Sequence, residues 1–124
     1  MIREVREELA AVISAAVTGW TVTDHVPTTP HLPAIWVNWP SLIDFGQQTL
    51  SGQRKVSISV TGCVGTGDAQ AAQHTIDELT GKTIPDAVAG HASTVWLHAT
   101  PTTITNIRVD EDRLLADLNF DIYA

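Results

Sequence analysis

Between Arg54 and Val64 the chain alternates, with Val56, Ile58 and Val60 on one side and Ser57, Ser59 and Thr61 on the other. Period two with β-branched residues predicts a half-buried central strand. Gly65 and Gly67 break it, Asp68 suits an N-cap, and Ala69, Ala72, Ile76 and Leu79 follow at helical spacing, with Gly81 as the expected stop. A second clean alternation closes the chain: Leu118, Phe120 and Ile122 against Asp117, Asn119 and Asp121, predicting one buried and one wet, acidic face.

The remaining elements follow from the same periods. Residues 3–17 place Val5, Leu9, Val12, Ile13, Ala16 and Val17 on one helical stripe, ended by Gly19. Thr21 to Val26 reads as a short strand, and Pro27, Pro30 and Pro33 punctuate the loop after it. Ala34 to Trp39 resumes a strand, with Trp36 and Asn38 on one face and Ile35, Val37 and Trp39 on the other. Leu42 to Phe45 adds a further strand. Gly46 to Gln53 is polar and aperiodic, the expected tip of a long hairpin. Ile84 to Ala89 predicts a short helix with Pro85 in its first turn and Gly90 at its end. Ser93 to Ala99 reads as a strand interrupted by Pro101 and resumed from Thr102 to Val109. Asp110 to Arg113 forms the polar tip before the last strand. The order predicts a single α+β domain, with helices packed on one face of a mixed, largely antiparallel sheet.

Composition narrows the function. Hydrophobic residues make up 44% of the 124, enough for a core. The formal net charge is -7, with seven scattered Lys and Arg, which argues against gripping nucleic acid. An acidic surface suits the opposite task of letting DNA pass without adhering. The single cysteine, Cys63, permits no internal disulfide. The charged start (Arg3, Glu4, Arg6, Glu7, Glu8) differs from a signal peptide, and no apolar run reaches the roughly 18 residues of a membrane span. The expectation is a soluble intracellular protein.

Catalytic and cofactor motifs fail on their chemistry. Gly62 to Gly67 has the glycine spacing of a phosphate-binding loop, but Asp68 and Ala69 stand where Lys and Ser or Thr are required. The dinucleotide fingerprint needs a small residue where Gln70 stands. His25, His31, His74, His91 and His98 form no close ligand pair on a helix. Cys63, inside the central strand, reads as a small core residue rather than a nucleophile. No enzyme, cofactor or metal is expected. Trp20, Trp36, Trp39 and Trp96 supply four of seven aromatics, a residue type suited to cores and to contact surfaces.

The order of parts resembles a known family. An amphipathic N-terminal helix precedes the Pro-rich strand region Leu32-Pro33-Ala34-Ile35-Trp36-Val37. A polar hairpin leads into Arg54-Lys55-Val56-Ser57-Ile58-Ser59-Val60, then the helix Asp68 to Leu79, and the chain ends on the alternating strand Ala116 to Tyr123. This pattern is similar to the tail terminator (tail completion) proteins of long-tailed phages, especially those of high-GC bacteria. The resemblance implies a virion protein of the tail–neck junction, assembled in the host cytoplasm. It would form a homo-hexameric ring on the last ring of the tail tube protein, stop tube growth and offer a surface to the head–tail connector. DNA would pass through without specific binding. A ring needs two different patches per subunit. Trp36, Trp39, Phe45, Gln47, Gln48 and Leu50 are the interface candidates, and Asp110, Glu111 and Asp112 the candidate lumen acids. The alternatives are a head-closure or neck connector, an adaptor of a domesticated phage tail, and a small ligand-binding or enzymatic α+β domain.

Overall fold

The central strand organises the molecule. The computed structural model describes residues 2–44 and 54–124. Its elements are helix α1 (Ile2–Ala16), strands β1 (Thr21–Thr23), β2 (Ala34–Val37), β3 (Leu42–Asp44) and β4 (Lys55–Gly65), helix α2 (Ala69–Glu78), a π-helical turn (Leu79–Thr83), helix α3 (Ile84–Ala89), and strands β5 (His98–Asp110) and β6 (Arg113–Tyr123). Strand β4 pairs with β6 along its whole length on one side, and with β2 and β3 in succession on the other. The strand order is β1-β2-β4-β6-β5, with only β1 and β2 parallel. This is an α+β fold on a six-stranded, largely antiparallel sheet.

The alternation in β4 and β6 decides where the helices lie. Val56, Ile58 and Val60 join Leu118, Phe120 and Ile122 in one apolar face. Val5, Leu9 and Ile13 of α1, Ala72 and Ile76 of α2, and Ile84 and Val88 of α3 close over it. The helices therefore cover one face of the sheet. Each fully buried side chain of this kind contributes about 1.5–3 kcal/mol. Gly62 lets the end of α2 and the π turn approach: a Cβ there would stand 3.4 Å from Ile76 Cδ1 and 2.8 Å from Leu79 Cδ2. It lies inside the strand, so the glycine run is part strand and part turn. Asp68 caps α2 by accepting a hydrogen bond from the Ala71 amide, 3.1 Å.

Several expectations need correction. Gly81 does not end the helix; the chain continues through the π turn into α3. Pro85 has no N–H for the carbonyl four residues back, and the Thr80 hydroxyl donates to the Ile76 carbonyl, 2.7 Å, so the turn widens rather than stops. The stop comes at Gly90, as expected. Ser93 to Leu97 is not strand; β5 begins at His98 and runs through Pro101. Proline is tolerated there because β5 is an edge strand with a register shift beside it. Strands β1 and β2 stop short, at Thr23 and Val37. Phe45 and the expected hairpin tip, Gly46 to Gln53, lie outside the described residues.

Candidate interaction surfaces

The helix-free face of the sheet carries the serines, threonines and acids of the alternating strands. They bond to one another. Asn38 Nδ2 donates to Ser59 Oγ (2.9 Å) and Thr61 Oγ1 (2.7 Å), and the Thr61 hydroxyl donates to Asp117 Oδ1, 2.7 Å. Ser57 donates to Asp121 and Asn119 donates to Thr103 and Thr105. The acids of this face are balanced by bases: Arg108 lies 3.4 Å from Asp117 and Lys55 lies 3.7 Å from Asp121. The face is polar, as expected, but its charge is paired within the sheet. Such a ladder rigidifies a surface that no described helix covers.

Trp36 belongs to this face. It is buried with Ala34, Cys63 and Leu115, and its indole N–H donates to Asn38 Oδ1, 3.1 Å. Although expected at a subunit contact, it is 8% exposed and leaves little surface for another chain. Cys63 is the small core residue expected, and burial pushes its thiol pKa up. Trp96, expected on a strand, is buried in the loop before β5.

Trp39 is the opposite case. It follows β2 on the helix side of the sheet and is 72% exposed. The Arg6 guanidinium lies over its ring, 4.9 Å from the centroid, a cation–π contact. Arg6 also donates to the Asp24 carbonyl, 3.2 Å, just beyond β1. The Asp24 carboxylate turns to His25 instead, 2.8 Å away, and that hydrogen bond holds its pKa below the usual carboxylate range. Arg6 thus has no salt bridge among the described residues.

The far end of the sheet carries a different surface. One edge of β5 pairs with β6 and the other with no described strand. The register shift between Thr105 and Arg108, with Asn106 in the left-handed region, carries Ile107 outward. Ile107 and Val109 are 67% and 66% exposed. With Ile76, Ile104 and Leu114 they line a groove of about 370 Å³ between α2 and β5. Asp77 is on its wall, exposed and without a bonding partner among the described residues. Sequence reading missed this groove. Its signal was present: the apolar positions 104, 107 and 109 break the period of two at Asn106.

Asp110, Glu111 and Asp112 stand at the tip of the β5–β6 hairpin, all exposed. Asp110 is 3.5 Å from Arg113, while the Asp112 carbonyl accepts from the Thr66 amide and ties the tip to the end of β4. Gln47, Gln48 and Leu50, like Phe45, lie outside the described residues.

A Ser–Glu–His cluster also forms: Ser93 donates to Glu8, and His91 Nε2 lies 3.3 Å from the same carboxylate. The carboxylate sits between the other two, so no histidine stands by the hydroxyl to take its proton. The Ser93 oxygen also accepts from the Val95 and Trp96 amides. The cluster fastens the loop before β5 to α1. No protein-family model matches the chain, and no curated protein matches it closely enough to count as a relative.

Proposed function

We propose that the protein is a structural virion component of the tail-terminator type, which caps a phage tail tube as a ring and offers a joining surface to the head. One observation carries this reading. Two unlike exposed apolar surfaces lie toward opposite ends of the strand order, Trp39 just after β2 and the Ile104–Ile107–Val109 groove at the outer strand β5. Head-to-tail contact between unlike patches is the geometry that closes into rings. The resemblance in element order supplies the tail, and the net charge of -7 suits a channel that DNA must traverse without adhering. In this reading the exposed acids of the hairpin tip, Asp110, Glu111 and Asp112, line the lumen.

Electron microscopy of the purified chain mixed with tail tubes tests the role. Rings seated on one end of each tube are the expected outcome. Seating on DNA-filled heads instead of tubes would assign a head-closure role, and binding to neither would end the reading. Replacing the three tip acids with lysine in assembled particles is expected to make DNA release slow and salt-dependent. Release at the original rate would remove them from the lumen.

A further inference from the structure

We infer that the α2–β5 groove receives the Trp39–Arg6 pair of a second copy of this chain, with Arg6 meeting Asp77 across the contact. The inference rests on the ring reading and deepens it by naming the two surfaces that meet.

Three observations fit together. Trp39 presents a large apolar body at one end of the sheet, and the groove at the other end exposes Ile107 and Val109 beside Ile76 and Leu114. Both lie on the helix side, because Trp39 contacts α1 while Ile104 and Val109 pair with Leu118 and Leu114 of β6. Copies placed edge to edge therefore bring the two surfaces into one layer.

The charges also complement. Among the described residues Arg6 has no salt bridge, with the Asp24 carboxylate near enough only to feel its charge, and the Asp77 side chain has no bonding partner. The groove side is acidic beyond Asp77 through the hairpin tip next to Val109, although Lys82 is exposed on the π turn. Docking would cover the indole that the guanidinium already orders, and desolvation strengthens both the cation–π and the ionic contact. Aromatic and arginine anchors in apolar pockets are the usual centre of such contacts.

Sedimentation over rising concentration tests the pairing in the full chain. The set is the parent protein, Arg6→Glu, Asp77→Arg, both changes in one chain, and an equimolar mixture of the two single variants. Each single variant is expected to weaken association about tenfold, as for a close interfacial charge pair. The doubly changed chain and the mixture are expected to regain most of that loss, because each reversed knob then meets a reversed groove. Trp39→Ala should weaken association without being rescued by either charge change. A parent chain that associates while neither the double variant nor the mixture recovers overturns this pairing and leaves the ring reading standing. A parent chain that stays monomeric alone and with tail tubes overturns both.

Discussion

At the scale of single residues, the same amino acid type carries opposite roles according to its neighbours. Trp36 and Trp39 are three positions apart, yet one is sealed against Cys63 and Leu115 and the other stands in solvent under Arg6. Their odd spacing sets them on opposite faces of the sheet, and β2 ends at Val37, before Trp39. Cys63 shares the sealed site. Desolvation raises its thiol pKa, and the positive field of Arg113 and Arg108 offsets this only in part. Below that raised pKa the thiol stays protonated, and the thiolate is the nucleophile. Native protein at mildly alkaline pH is therefore expected to resist alkylation by iodoacetamide, with labelling appearing as urea unfolds the chain. Prompt labelling of folded protein would show that the sheet opens locally at β4.

At the scale of elements, caps and periods were the most legible signals. Asp68 binds the Ala71 amide as an N-cap should. Asp68→Ala is expected to cost about 1 kcal/mol, read as a lower urea midpoint with an unchanged slope. The alternation of β4 and β6 was equally legible, because each strand presents one face to the helices and one to the polar ladder. Other signals misled for physical reasons. Gly81 looked like a terminus, but packing of Leu79 and Ile84 on both sides of it holds the helix together through the π turn. The run from Ser93 to Leu97 has strand-like composition, yet the Ser93 hydroxyl takes two backbone amides and Glu8 anchors it, which fixes a loop. Partners 85 residues apart leave no local pattern. The groove was hidden for a related reason. Exposure of Ile107 depends on a bulge and on α2 stopping short of β5, and no window of sequence contains both.

At the scale of the whole molecule, the sheet is closed on one face by helices and self-satisfied on the other, so its ends remain to make contacts. The edge strand β5 blunts strand addition with Pro101 and a bulge, but keeps apolar side chains outward. Side-chain docking rather than sheet extension is the contact this edge favours. Assembly then balances a short-range attraction against a long-range repulsion, because every copy brings a net charge of -7. Repulsion between whole chains acts across the Debye length, about 30 Å in 10 mM salt and about 8 Å at physiological ionic strength. A buried ion pair and an apolar contact are screened far less. The repulsive part should therefore fade first as salt is added. Association measured by sedimentation is expected to strengthen between low and physiological ionic strength, then to level off. Steady weakening across that range would mean that exposed opposite charges, rather than Trp39 and the groove, hold the copies together.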